Sequence, residues 1–439
     1  MKSCFVCQRS FPNDAGFCPA DGTPLTAASM APVAPSADDP RIGIRLCGRY
    51  EIRRVVADGG MGRVYEGIDK QTDSRVAIKV LHDDVARDDV ALERFKREYE
   101  ISALLPHQHI VKVLDFQRDQ VSSTWLLTME FLDGEELRYV LQRDKVLPPE
   151  RLVRMLAQMA IGLDGAHARS FIHRDLKPDN VFLCGTREGD DVKLLDFGSV
   201  KDQSGNRKKL TMLGTTIGSP YYMSPEQAQG LDTIDARADV FALAAVVYEC
   251  VTGEVPFTGN NGPSILLAIL TQDPVPPSVK AAAAGITTYP VPPGLDDVLE
   301  TALAKNLAIR TRTVGGLADQ VGHAYGLEGD HLLWATTPQQ ELARQIAESL
   351  PRVMAPRAPR VAALGVVADP FGAPPPSTTL PMGNAAERQG MDEAFQAVGD
   401  DDGLPAGVPM GKPGWLLPVA VGLLALVVGG AVTLVLMMR

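Results

Sequence analysis

One short stretch constrains this chain more than any other. It reads His173-Arg174-Asp175-Leu176-Lys177-Pro178-Asp179-Asn180, followed one hairpin later by Asp196-Phe197-Gly198. A carboxylate, a lysine and an amide crowd one loop, and a second carboxylate ends a β-branched and leucine-rich run. Phosphoryl transfer needs this inventory: a carboxylate to take a hydroxyl proton, and oxygen ligands for the magnesium that neutralises phosphates. The flanks fit a loop held between regular elements. Residues 149–169 carry helical periodicity and lead through Phe171-Ile172 into the loop, and Val181–Leu183 with Val192–Leu195 predict a hairpin around Gly185–Asp191.

His-Arg-Asp-Leu-x-x-x-Asn with Asp-Phe-Gly resembles the protein-kinase signature, and the chain resembles a bacterial serine/threonine protein kinase of the eukaryotic-like type. The resemblance implies an α+β, bilobal fold over residues 50–326: a small β-rich N-lobe with one helix above a larger helical C-lobe. It implies that Asp175 orients and deprotonates the substrate hydroxyl, that Lys177 neutralises the γ-phosphoryl, and that Asn180 and Asp196 hold Mg2+ or Mn2+. Lysine two residues after Asp175 is similar to the Ser/Thr class. The stretch from Ala57 through Gly59, Gly60 and Gly62 to Val64 stands at the glycine-rich loop, where small residues let backbone amides approach the ATP phosphates. Ala57 replaces the first glycine of that pattern. Val76-Ala77-Ile78-Lys79 places Lys79 on the α- and β-phosphates. Glu98 is its expected ion-pair partner, on a helix over about 90–105 where Phe95, Ile101 and Leu105 share its face. The neighbouring Glu, Arg and Lys residues read as solvated surface. Runs at Val111–Phe116 and Thr124–Glu130 predict two strands; Met129 then guards the adenine pocket, and Glu130, Phe131 and Leu132 form the hinge to the purine edge.

Residues 199–226 read as an activation segment, basic at Lys201 and Arg207-Lys208-Lys209 and closed by Ser224-Pro225-Glu226. In the family, an arginine at the place of Arg174 pairs with a phosphate on this segment, for which Thr211, Thr215 and Thr216 are the candidates; Ser219 lies by the substrate site. Glu226 expects a buried arginine, for which Arg310 is placed, and Asp239 should brace the catalytic-loop backbone.

The net charge of −11 and pI of about 5.2 argue against nucleic acid as the main partner. Of six cysteines, Cys4, Cys7 and Cys18 cluster at the N-terminus, while Cys47, Cys184 and Cys250 are scattered, which is a metal pattern rather than a disulfide framework. Cys4, Cys7, Cys18 and Asp21 form two knuckles of a zinc-ribbon-like segment over residues 1–25, a Zn2+ site with carboxylate as the fourth ligand. The bland alternative is a short tail of reduced cysteines. Residues 26–45, rich in Ala, Pro and Ser, read as a linker.

After a helical extension over 327–350, residues 351–414 hold eleven prolines and acidic patches, so no core can form and the stretch is a tether. Trp415 to Met438 is a charge-free apolar run of 24 residues, long enough to span a bilayer as one transmembrane helix. The expected location is the cell membrane, single-pass, with the kinase domain cytoplasmic. Ala425, Gly429 and Thr433 repeat every fourth residue, a stripe suited to helix pairing and hence to a homodimer that autophosphorylates in trans. The expected partners are therefore ATP, protein Ser/Thr substrates, the membrane and a second copy. Two alternatives stay open: a pseudokinase scaffold, supported by Ala57 alone, and an adaptor whose ribbon does the work.

Overall fold

The structure is a computed structural model that describes residues 39–59, 62–83, 85–197 and 220–355, together with the strand residues 2–3 and 10–11. The chain opens on β1 (Lys2–Ser3) and β2 (Ser10–Phe11), which pair antiparallel. The N-lobe sheet is built from β3 (Arg45–Leu46), β4 (Tyr50–Asp58), β5 (Gly62–Asp69), β6 (Ser74–Leu81), β7 (Val113–Arg118) and β8 (Trp125–Glu130), with α1 (Asp89–Leu104) between β6 and β7. Its order is β3-β4-β5-β6-β8-β7, antiparallel throughout.

Alternation along β6 decides what each face does. Val76, Ile78 and Val80 pack with Tyr50, Ile52, Val55, Tyr65 and Leu126 in one cluster. The opposite face carries Ala77 and Lys79 and ends in Leu81, which packs under α1 with Phe95, Val113 and Leu127. Gly62 opens β5 where a Cβ would lie 2.3 Å from the Val80 carbonyl oxygen, so the strand can close on β6 only with glycine there.

The expected linker over 26–45 ends too late. Residues 39–46 are part of the N-lobe: Gly43 N–H donates to Ile52 O (2.9 Å), Ile52 N–H donates to Ile44 O (2.9 Å), Ile42 packs on the sheet cluster and Leu46 is buried in it. The stretch has no apolar period because only Asp39 and Leu46 of it are buried, Ile44 is exposed, and backbone bonds to β4 hold it.

The C-lobe follows through β9 (Glu135–Glu136), α2 (Leu137–Asp144), α3 (Pro149–His167), β10 (Val181–Thr186), β11 (Gly189–Leu194), α4 (Pro225–Ala228), α5 (Arg237–Thr252), α6 (Gly262–Thr271), α7 (Pro277–Ala283), α8 (Pro293–Ala302), α9 (Val314–Ala324), α10 (His331–Thr336) and α11 (Gln339–Val353). The β10–β11 hairpin is longer than expected, with its ladder running out to Thr186↔Gly189. Helix α5 is apolar on every side and buried along nearly its whole length, which makes it the pillar of the lobe. Gly253, left-handed at φ 72°, ends it. The helical stretch expected over 327–350 resolves into α10 and α11, and it does not stand apart from the lobe. Trp334, Leu342 and Ile346 lie in the same core as α3 and α9. A Cβ on Gly322 would sit 2.1 Å from the Trp334 ring, so that glycine makes the indole's berth.

The zinc-ligand candidates Cys4, Cys7, Cys18 and Asp21, the threonines 211, 215 and 216, Gly60, and the apolar run 415–438 lie outside the described residues. Among the described residues no helix is long and apolar enough to cross a membrane, and no cluster of three or more His, Cys, Asp or Glu could hold a metal.

Candidate active site

Three anchors bring the sequence-distant residues together. Helix α1 is held by burial of Phe95 and Ile101, and of Leu105 just past its end, each contributing about 1.5–3 kcal/mol. The chain after α1 is tied to the C-lobe, because Leu194 N–H donates to His109 O (2.8 Å) and Val111 N–H donates to Leu194 O (2.9 Å). The helix bearing Glu98 and the strand leading to Asp196 thus share one fastening. On β6, period two turns Lys79 to the α1 side, where its Nζ lies 3.3 Å from Glu98 Oε2 and 5.3 Å from the Phe95 ring.

Both members of that pair are deeply buried. Burial pushes the Glu98 carboxyl up to about 7; Lys79 counteracts this and the Asp196 charge adds to it. For Lys79, burial works against the charged form, and Glu98 and Asp196 outweigh it, so the ammonium is kept. As pH falls through about 7, Glu98 takes up a proton and the attraction that holds Lys79 weakens. We expect kcat/KM for ATP to fall on that acid limb. In Glu98→Gln the rate should be low throughout and the limb absent. An unchanged limb in the variant would assign the titration elsewhere.

The catalytic-loop backbone is turned by Asp239, which is fully buried at the start of α5. It accepts the His173 N–H (2.8 Å), the Arg174 N–H (2.8 Å) and His167 Nε2–H (2.7 Å). Burial would raise its carboxyl; His167 and the backbone amides outweigh that and hold it low. Two non-glycine residues here are left-handed, Arg174 at φ 67° and Asp196 at φ 57°. Such conformations cost about 1–3 kcal/mol each and persist only where the surroundings impose them. His173 supplies part of that: its Nε2–H donates to Leu195 O (3.0 Å) and its ring stacks edge-on to Phe197 at 4.6 Å.

Asp175 lies inside this frame. Its Oδ2 accepts from Lys177 Nζ (2.7 Å), and Asn180 Nδ2 donates to the Asp175 backbone carbonyl (2.7 Å). Burial disfavours the Lys177 charge and Asp175 restores it, leaving the lysine's pKa raised. Since Asn180 uses its Nδ2 inward, its Oδ1 is the atom left for a cation. Leu195 N–H donates to Asn180 O (2.9 Å), which sets Asp196 beside it. An amide oxygen and a carboxylate are hard oxygen donors, the type that magnesium takes.

At the hinge, Glu130 N–H donates to Lys112 O (2.9 Å), and its carboxylate accepts from Lys112 N–H (2.8 Å) and Lys193 Nζ (2.7 Å). Met129 packs at the rim of the cluster under α1, and Ala77 faces it across the β6–β8 ladder. Ala57 is buried and pairs with Val64 just past a register shift in the β4–β5 ladder, so the missing first glycine falls within the strand pairing. Gly59 has open space for a Cβ, with only the Gly62 carbonyl oxygen near at 3.6 Å. Leu132 is half-buried past the hinge.

A protein kinase domain model matches residues 50–319. The chain belongs to the protein kinase family. Its kinase domain is 36% identical over 287 residues to serine/threonine-protein kinase PknA of Mycobacterium tuberculosis, covering 64% of this chain and 62% of that one. It is 37% identical over 270 residues to PknB of the same organism, covering 61% of this chain and 41% of that one. The match thus spans less than two thirds of either relative. The crystal structure of the Mycobacterium tuberculosis PknI kinase domain superposes with a TM-score of 0.50 at 28% identity, over 65% of this chain and 98% of that one.

Two features of the kinase domain escaped the sequence. Arg97, expected on a solvated face, has its Nε buried without a hydrogen-bond partner among the described residues, as has Arg174. Burial, and then the like charge of Arg97, push the Arg174 guanidinium down; Asp239 offsets only part. Gln227 also holds the loop, its Nε2–H donating to Arg174 O (2.7 Å). Adjacency to Glu98 was the only signal for Arg97, and Gln227 had none beyond following Glu226.

Proposed function

We propose that the chain is a Mg-ATP-dependent protein serine/threonine kinase. The carrying observation is that Asp196 acts by its charge on the Lys79–Glu98 pair and on Lys177, which holds Asp175, so the two groups lie together. Asp175 accepts the substrate hydroxyl proton at its free carboxylate oxygen, and Lys177 meets the charge on the transferring group. Lys79, oriented by Glu98, binds the α- and β-phosphates. Asn180 Oδ1 and Asp196 would hold magnesium, which supplies charge neutralisation of the phosphates. Relatives named serine/threonine-protein kinases support this class. Radiolabel transfer from ATP to a protein substrate tests it: label with wild type and far less with Asp175→Asn is expected. Label with neither would favour a pseudokinase scaffold.

The buried, unpartnered Nε atoms of Arg97 and Arg174 favour activation by phosphate on the segment before Pro220. Mass spectrometry of active protein should find phosphate on Thr211, Thr215 or Thr216, and the triple alanine variant should phosphorylate an exogenous substrate more slowly. Equal rates would end this reading. The run 415–438 is proposed as the membrane anchor of a single-pass protein with the kinase domain cytoplasmic, and as the contact for trans-autophosphorylation. Extraction by alkaline carbonate without detergent would refute it. Cys4, Cys7, Cys18 and Asp21 are proposed as a Zn2+ site; elemental analysis without stoichiometric zinc would refute that.

A further inference from the structure

The N-terminal strap carries a charge relay into the glycine-rich loop. Asp39 lies before residue 50, where the match to the family begins, and its side chain is only 1% exposed. Its Oδ1 accepts the Arg41 N–H (2.8 Å), and its Oδ2 accepts Tyr65 OH (3.0 Å) and Arg63 Nη1 (2.6 Å). Burial opposes its charge; the Arg41 amide, Arg63 and Tyr65 outweigh that and hold its carboxyl low.

Arg63 is a fork. Nη1 is on Asp39, while Nε donates to Asp58 Oδ2 (2.8 Å) and Nη2 bonds the same oxygen. Asp58 and Arg63 face each other across the β4–β5 ladder, at the two ends of the glycine-rich loop. The relay continues from Asp58 Oδ1 to His82 Nε2 (3.2 Å), and the same nitrogen is 3.0 Å from Gly59 O. Both are acceptors, so this nitrogen carries the proton. Gly59 N–H in turn donates to Gly62 O (3.0 Å) across the loop. A continuous path thus runs Asp39–Arg63–Asp58–His82–Gly59.

We infer that Asp39 is a positioning residue for the ATP phosphates, acting through Arg63 and Asp58 on the two ends of the glycine-rich loop. This rests on the reading of the cleft as an ATP site. Glycine gives the loop its freedom to approach phosphates, and that freedom must be given up on binding. Pinning both ends beforehand lowers that cost, which is how preorganisation raises affinity. A guanidinium fork between two carboxylates is suited to this because its planar geometry fixes direction as well as distance. Asparagine at position 39 keeps the shape and, at Oδ1, the acceptor for the Arg41 amide; an NH2 group replaces the oxygen that takes Arg63 and the Tyr65 hydroxyl, so the charge that orients Arg63 is lost.

The test uses the full chain and Mg-ATP as the probe, with Asp39→Asn, Arg63→Gln and the double variant. Calorimetric Kd for ATP, KM for ATP, kcat, KM for protein substrate and melting temperature are measured on each. Asp39→Asn should weaken ATP binding and raise its KM roughly three- to tenfold, the range remote positioning residues command, with kcat and KM for protein substrate nearly unchanged. The double variant should be no worse than the worse single one, because the residues act as a unit. A lower melting temperature with unchanged ATP Kd would make Asp39 a structural buttress and overturn the inference, as would additive effects. Should Asp39→Asn fail to fold, the more exposed Arg63→Gln carries the same expectation. A wild type that binds no ATP would refute the reading of the cleft, and the inference with it; wild-type binding with an unaffected variant refutes the inference alone.

Discussion

Replacing Asp175 by asparagine is expected to lower kcat by roughly 10²–10⁴-fold, the range of a positioned general base. Asparagine has the same shape and still offers Lys177 an oxygen, so the loop held by Asp239 and His173 should keep its turn. What is lost is the carboxylate that accepts a proton. ATP affinity should stay close to wild type, since Lys79 and Glu98 lie on other elements. One secondary effect is expected: the Lys177 ammonium, disfavoured by burial, loses the charge that restores it, so its pKa should drop. Single-turnover rates and ATP binding measured on the same preparations separate these contributions. Turnover within about tenfold of wild type would remove Asp175 from the chemistry.

Removing the Arg310 side chain should destabilise the kinase domain by about 3–5 kcal/mol, the usual cost of breaking a buried ion pair from one side. Arg310 is fully buried and grips Glu226 with two bonds, Nη1 to Oε1 at 2.7 Å and Nη2 to Oε2 at 3.1 Å. Two further donors are met, Nε by Ala304 O (2.9 Å) and Nη1 by Arg237 O (3.1 Å), and the guanidinium carbon lies 5.1 Å from the Phe241 ring centre. Arg310→Ala therefore strands a carboxylate in the lobe interior and opens a cavity against α5. Glu226→Gln should cost less, because it leaves a neutral acceptor. Urea unfolding of the two variants would show the order, and a loss below about 1 kcal/mol in Arg310→Ala would mean that water reaches the pair.

Much of the site was legible because its chemistry is written in short, fixed spacings. Asp175, Lys177 and Asn180 share one loop, so local sequence alone sets them side by side. The Lys79–Glu98 pair came from the resemblance, and the helical face shared by Phe95, Ile101 and Leu105 agreed with it. Glu226 with Arg310 came from the resemblance. The strap at 39–46 was misread for a physical reason: its order comes from Ile52, Arg63 and Tyr65, residues of the sheet, and nothing in its own composition signals that. Arg97 was misread because a charged residue on a helix is usually solvated, whereas its Nε is buried and its charge reaches Arg174, which is distant in sequence. The helices α10 and α11 were seen as helical, but their attachment to α3 depends on partners far away in sequence.

That attachment bears on how the protein is made. Arg154 and Gln158 of α3 are buried polar groups; Arg154 Nε donates to Thr337 O (3.1 Å) and Gln158 Nε2 donates to Ala335 O (3.2 Å). The partners are 183 and 177 residues further along the chain. At 5–20 residues per second a ribosome adds that stretch in roughly 10–40 s, far longer than a helix or hairpin needs to form. Until then the side of α3 that Trp334, Leu342 and Ile346 will cover stays bare, and Arg154 Nε waits for its acceptor, while Gln158 Nε2 can already reach Asp190 O (3.1 Å). A chaperone that holds apolar surface on emerging chains has its longest opportunity here, and translation slowed before residue 331 would lengthen it.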